Sequence, residues 1–151
     1  MASGSGVNVS EEVKKAYESI YTTRKGSKKY RYATVKFNDT NTGLEVDEHE
    51  EEKEGVKSFE EVVGSLPSND VRYVFYDFPF ITNADAKSSK VLCISWHPQT
   101  APIKKRMLVS STFSAVKHTL KIDSSNCLEG DDPNDLPVAD AVSKCNGKAA
   151  A

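Results

Sequence analysis

Cys93 and His97 are the residues of this 151-residue chain whose types could make a nucleophile and its base. They stand four apart, on or just after an apolar run that ends at Trp96. At the extended rise they share a face but lie about 13 Å apart, too far to exchange a proton. His49 falls in an acidic stretch and His118 among basic residues, and neither has neighbours at metal-ligand spacing. The acidic stretches 45–54 and 129–135 lack the D-x-[DN]-x-[DN]-G order of a calcium loop, and no G-x-x-x-x-G-K-[ST] phosphate loop occurs. The chemistry these residues can do is therefore recognition rather than catalysis, with no metal or cofactor implied. Its centre is Lys104-Lys105-Arg106, which opens a long predicted helix. A helix N-terminus is already positive and favours Asp and Glu, so three cations there suggest a use for the charge outside the fold. At about 100° per residue, Leu108, Val109, Phe113, Ala115, Val116 and Leu120 form one apolar stripe. Lys104, Arg106, Ser111, Lys117, His118 and Lys121 fall opposite, and Met107 lands among them. A pliable thioether ringed by cations and hydroxyls suits a protein-recognition surface.

The elements that must hold this helix are legible along the chain. Residues 1–9 are small and polar and read as a flexible tail, and Ser10 can cap a helix in which Val13, Ala16, Tyr17, Ile20 and Tyr21 repeat at helical spacing. Residues 30–37 alternate as a strand, 38–43 read as a turn, and 43–46 pair back as a hairpin, with the acidic run after it a loop. Ser58 and Glu61 form a capping box ahead of a short helix carrying Phe59, Val62, Val63 and Leu66. Residues 71–78 and 90–96 are nearly continuous in apolar residues, as strands covered on both faces require, with 81–89 a polar hairpin loop between them. Ser110-Ser111-Thr112 should bend the long helix, because their hydroxyls bond back to the preceding turn. A short apolar segment surrounds Ile122, and Asp135 can cap a last helix with Leu136, Val138, Ala139 and Val142. The expected fold class is mixed α/β: one domain over 1–151, a central mixed sheet of about five strands sandwiched by helices, and a flexible tail at 146–151.

Composition sets the class. The chain is 38% hydrophobic and 28% charged, with a net charge of −2 that hides basic and acidic clusters. Such a balance argues against nucleic-acid binding, which shows as a basic domain with a continuous positive stripe. No leader and no run of about 20 apolar residues appears, so a cytoplasmic, monomeric protein is expected. The three cysteines, Cys93, Cys127 and Cys145, match neither a disulfide framework nor a CxxC clamp and read as reduced thiols.

Asp70-Val71-Arg72-Tyr73 through Asp77, Trp96-His97-Pro98, Ala101-Pro102-Ile103-Lys104 and Met107 to Ser111 resemble, in order and spacing, the actin-depolymerising factor/cofilin family. The likeness runs from Ser5-Gly6-Val7 through Lys29-Tyr30 and Leu66-Pro67 to the long helix, nearly the whole chain. It implies the ADF-homology fold and a cytoskeletal, non-enzymatic function: binding to ADP-actin monomers and filaments, with severing and depolymerisation. The family's monomer-contact surface corresponds to Ser5, Gly6, Val7, Lys104, Arg106, Met107, Ser111 and Thr112. Its filament surface corresponds to Lys87 and Lys90 before the Trp96 strand and to Asp140 and Lys144 on the last helix. That second match is incomplete, with Ser88 and Ala141 at positions often charged, which implies firmer monomer binding than severing. A non-severing side-binder or monomer sequesterer is the alternative.

The resemblance also implies regulation. A phosphate on a tail serine adds about −1.5 to −2 charges to a segment approaching an acidic partner and should inhibit binding. Ser5 holds the family register counted from the first helix, and Ser3 holds it counted from the start. Phosphoinositides would compete through Lys104, Lys105, Arg106, Lys117 and Lys121, weakened by Phe113, His118 and Thr119 at positions often charged; a phosphoinositide-binding module is a third reading. Nuclear entry stays open, since Lys104-Lys105-Arg106 is short and committed to the helix.

Overall fold

Strand β3 (Arg72–Ile81) is buried on both faces from Tyr73 through Phe78, and the other elements are arranged around it. The computed structural model describes residues 8–21, 30–51, 58–136, 138–145 and 148–149. Besides β3 the elements are α1 (Glu11–Tyr21), β1 (Tyr30–Phe37), β2 (Leu44–Glu51), α2 (Phe59–Gly64), β4 (Lys87–Trp96), α3 (Ile103–Leu120), β5 (Cys127–Gly130), α4 (Val138–Lys144) and β6 (Lys148–Ala149). The sheet order is β2-β1-β3-β4-β5, with β6 on the far end of β3. The β1–β2, β1–β3, β3–β4 and β3–β6 pairs are antiparallel, while β4 and β5 run parallel. The expected mixed sheet between helices is therefore present.

Alternation along β3 and β4 divides the interior into two layers. On one face Tyr73, Phe75 and Cys93 pack with Val13, Ala16, Tyr17 and Ile20 of α1 and with Val109, Phe113, Val116 and Leu120 of α3. On the other, Val74, Tyr76, Phe78, Leu92, Ile94 and Trp96 pack with Phe59, Val62 and Val63 of α2, Leu136, and Ala141 of α4. Aromatic edges lock each layer. Tyr17 meets Phe75 at 5.1 Å, and Phe59 meets Phe78 at 5.4 Å.

Local signals hold where the interaction is local. Ser10 Oγ accepts from Val13 N at 3.3 Å, and the Ser58–Glu61 capping box is complete, with Glu61 N donating to Ser58 Oγ at 3.2 Å and Ser58 N to Glu61 Oε1 at 3.3 Å. The departures come from pairing across the sheet. The acidic run expected as a loop continues as β2 to Glu51, and cations on the adjacent β1 and on β3 beyond it offset its charge. Lys36 Nζ lies 3.8 Å from Glu45 and 3.9 Å from Asp47, and Arg72 Nε lies 3.0 Å from Asp47 Oδ2. Residues 52–54 of that run lie outside the described residues. The β3–β4 hairpin is longer than expected and its loop shorter: Thr82 N donates to Ala86 O at 2.8 Å, so Lys87 already belongs to β4.

Segments expected as tails are partly tied down. Asn8 N donates to Thr42 O and its carbonyl accepts from Leu44 N, both at 3.0 Å, so the chain is fixed to the β1–β2 turn from residue 8 onward. Residues 148–149 form β6 on the stretch of β3 beyond its pairing with β1. The fifth main strand is β5 at Cys127–Gly130, and Asp135, expected to cap the last helix, closes a 3₁₀ turn (Pro133–Asp135) ahead of α4. The long helix runs unbroken through Ser110 and Ser111, and Ser111 Oγ donates back to Leu108 O at 3.2 Å, the bond expected to bend it.

Arg72 ties the sheet's start together, since its Nη1 lies 2.6 Å from Asp70 Oδ2. Burial opposes ionisation of Asp70, but the Arg72 bond and the Val71 N–H outweigh it and hold the carboxyl below its ordinary value. A folded-state value below the unfolded one stabilises above the unfolded value and is lost as pH falls through the folded one. Asp70→Asn should therefore lower stability modestly at neutral pH, the pair being partly exposed. The gap to the parent should close below about pH 4, as urea unfolding across pH will register.

Candidate protein-interaction face

The rotation of α3 is set by one residue beneath it. The Tyr73 hydroxyl donates to Val109 O and accepts from Thr112, and its ring stacks on Phe113 at 5.7 Å and 20°. Burial pushes the Tyr73 phenol above its ordinary range, so it stays a neutral donor. With Val109, Thr112, Phe113, Val116 and Leu120 turned inward, the opposite side of the helix must face out. There Ile103 is 71% and Met107 69% exposed, the large hydrophobic side chains left exposed among the described residues. They stand one turn apart on the same face. Lys104 and Arg106 lie to either side of that ridge by helical angle.

The ridge borders an open groove of about 740 Å³ lined by His97, Ile103, Arg106, Met107, Ser110 and Ser111. No side chain caps the helix start. Pro102 occupies the N-cap position without a capping hydrogen bond, and the first turn holds no acid. Unpaired N–H groups and the dipole therefore add to the positive charge. The Arg106 Nε is buried without a hydrogen-bond partner among the described residues.

The three cations do not act alike. Lys105 Nζ donates to Asn41 Oδ1 at 2.6 Å and sits 5.6 Å from the Phe37 ring centre, so it joins α3 to the β1–β2 hairpin. Asn41 takes a left-handed conformation in that turn (φ 57°), which Asn tolerates better than most residues. Thr112, expected on the contact surface, is fully buried. Its helical angle falls inside the apolar stripe, and its hydroxyl serves Tyr73. Lys117 is half-buried with Nζ 4.7 Å over the Phe113 ring, while Lys121 is exposed at the left-handed end of the helix. Lys104, Lys105, Arg106, Lys117 and Lys121 are thus spread over several faces along about 25 Å of helix, not gathered in one patch.

Lys90 and Lys144, from the expected filament surface, do meet: Lys90 Nζ donates to Lys144 O at 3.4 Å. Lys87 and Asp140 are exposed at the start of β4 and on α4. Ser3, Ser5, Gly6 and Val7 lie outside the described residues. Sequence reasoning missed Ile103, His97 and Ser110 as groove residues, though an isoleucine four before Met107 was a readable signal.

A family model described as cofilin/tropomyosin-type actin-binding protein matches residues 6–146. The chain belongs to the cofilin/ADF family. It is 40% identical over 113 residues to a cofilin of Schizosaccharomyces pombe, covering 75% of this chain and 76% of that one. It is also 31% identical over 148 residues to a cofilin of Kluyveromyces lactis, covering 97% of each. Among solved structures, a Streptomyces griseoflavus cofilin superposes with a TM-score of 0.76 at 20% identity, over 94% of this chain and 99% of that one, a likeness of fold. The cofilin/ADF resemblance read from the motifs is thereby shown. No helix among the described residues is long and apolar enough to cross a membrane.

The division of the basic turn can be measured. Lys105→Ala should lower unfolding stability by about 0.5–1.5 kcal/mol through lost hydrogen bonding and ring contact. Lys104→Ala should stay within about 0.5 kcal/mol of the parent. Paired urea titrations distinguish the two.

Proposed function

We propose that the outward face of α3 binds actin, and that the protein binds ADP-actin monomers and filaments and promotes severing and depolymerisation. The observation that carries this reading is the Ile103–Met107 ridge, exposed beside a groove and flanked by Lys104 and Arg106. A membership that covers nearly the whole chain supports actin as the partner. Apolar anchors beside cations suit a partner that offers a greasy cleft with acidic rims. Ser111, on the groove wall, joins the surface; Thr112, buried, does not.

The action is mechanical. A protein that wedges between filament subunits and prefers an altered twist shifts the filament toward that twist by its differential affinity. Strain then concentrates where decorated and bare stretches meet. Lys87, Lys90, Asp140 and Lys144 form the proposed second contact, and the bond from Lys90 Nζ to the Lys144 backbone carbonyl sets the end of α4 beside β4. With Lys90 partly spent on that bond, a weakly severing side-binder or monomer sequesterer is the second reading. The protein works in the cytoplasm on the actin cytoskeleton.

Ser5 is the proposed phosphorylation site, with Ser3 the alternative. Asn8 is fixed to the β1–β2 turn, and Asn41 of that turn holds Lys105. Ser5 is three residues before Asn8, a reach of about 10 Å, and a phosphate there would add negative charge to the segment proposed to approach actin. Gly6 and Val7 complete the tail contact. Phosphoinositide headgroups would compete at Lys104 and Arg106, with Lys105 held by Asn41, Lys117 drawn over the Phe113 ring and Lys121 about 22 Å farther along the helix contributing less.

High-speed co-sedimentation with ADP-actin filaments tests the proposal. Protein in the pellet with actin released to the supernatant supports depolymerisation; pelleting without release supports a side-binder, and release without pelleting a sequesterer. Absence of both pelleting and release would overturn the actin reading. Lys104→Ala with Arg106→Ala should weaken binding at least about fivefold with unfolding stability nearly unchanged, and Ser5→Glu should weaken it comparably. An unchanged affinity in Ser5→Glu would sink the tail's role.

A further inference from the structure

Two thiols lie side by side under α3 and take no part in the face described above. Cys93 of β4 and Cys127 of β5 are register partners in the parallel pair. Both side chains turn to the α1–α3 face of the sheet, where Cys93 is fully buried and Cys127 packs at the margin, half-buried. Adjacent strands stand about 4.8 Å apart, inside the roughly 4.4–6.8 Å Cα separation that a disulfide bridges. The Cys93 thiol is hydrogen-bonded to Cys127, and Cys127 Sγ in turn lies 3.6 Å from Asp123 O.

The environments of the pair differ in the way a reactive and a resolving thiol differ. The Cys93 hydrogen bond favours the Cys127 thiolate, burial opposes it, and the charges of Lys117 and Lys144 favour it further, against Asp123; the net is a thiol more acidic than usual. Burial and the bond to Cys127 push Cys93 well up. Cys145 lies in the opposite layer, and burial raises it too, so it neither meets this pair nor competes as a thiolate. Thiolate character together with access selects which cysteine a peroxide attacks.

We propose that Cys127 is a peroxide-sensitive modification site whose oxidised sulfur is captured by Cys93, giving a reducible cross-strand disulfide beneath α3. In the first step the Cys127 thiolate attacks one oxygen of hydrogen peroxide. An S–O bond forms, the O–O bond breaks, and hydroxide leaves with the electron pair and takes up a proton as water, leaving a sulfenic acid. In the second, Cys93 sulfur attacks Cys127 sulfur. The S–S bond forms, the S–O bond breaks, and the departing hydroxide takes the Cys93 proton as water. The sum is two thiols and one peroxide giving one disulfide and two waters, so peroxide supplies the whole oxidation. The bridge closes a loop that contains all of α3, from residue 94 to residue 126, and a dithiol reductant reopens it.

The test treats the full-length reduced protein with hydrogen peroxide and maps its peptides by mass spectrometry under non-reducing conditions. The expected product is a Cys93–Cys127 linked peptide pair, lost on adding dithiothreitol and absent in Cys127→Ser. Cys127 should react at least about tenfold faster than Cys145. In Cys93→Ala a dimedone adduct should accumulate on Cys127. If that variant does not fold, the map of the parent protein and of Cys127→Ser decides alone. Oxidation of Cys145 first, a Cys127–Cys127 linked dimer, or direct passage of Cys127 to sulfinic acid in the parent protein would each overturn the proposal.

Discussion

Tyr73 couples the centre of the sheet to the helix proposed to face the partner. Its ring is stacked on Phe113 and tilted against Phe37 at 6.2 Å, and its hydroxyl reaches the backbone of α3 at Val109. A helix packed by apolar contacts alone can slip or roll by a fraction of a turn at small cost, since dispersion is weakly directional. A buried hydroxyl cannot, because losing its acceptor leaves an unsatisfied polar group at about 1–3 kcal/mol. The hydrogen bond thus selects one rotation of α3. That rotation leaves Ile103 and Met107 in solvent. The same contact makes Thr112 internal.

The basic start of α3 is a conflict resolved by division of labour. Lys105 is absorbed into the fold by Asn41 and Phe37, which joins the helix to the β1–β2 hairpin and, through Asn8, to the point where the N-terminal tail departs. Lys104 and Arg106 are left for the proposed partner. An uncapped, acid-free first turn is poor local design for a free helix, and such local inconsistency gathers at functional sites. The acidic β2 strand shows the opposite case. There Lys36 and Arg72 offset the carboxylates within the sheet, so that charge is structural.

Features governed by short-range chemistry were legible in the chain. The Ser58–Glu61 box, the Ser10 cap and the two-sided burial of β3 and β4 follow from residue type and spacing. What was not legible depends on residues distant in sequence. An acidic stretch reads as a loop until Lys36 and Arg72 are seen beside it. Cys127–Gly130 is too short to announce a strand and gains its hydrogen bonds only by parallel pairing with β4. Thr112 is carried onto the contact surface by the family resemblance, although its angle on the helix is that of a core residue. The face itself was legible from the misplaced cations and Met107. Its second apolar anchor, Ile103, was readable from its spacing to Met107, while its neighbour His97 emerges only when the groove is built.

The central claim is that a partner docks on the exposed side of the first turns of α3. Amide hydrogen exchange on the protein alone and bound to ADP-actin monomers tests this most directly. Slowed exchange concentrated in residues 103–111, with β2 and the 131–136 segment unchanged, is the predicted result. Protection elsewhere on the molecule, with the start of α3 exchanging as it does in the free protein, would contradict the account.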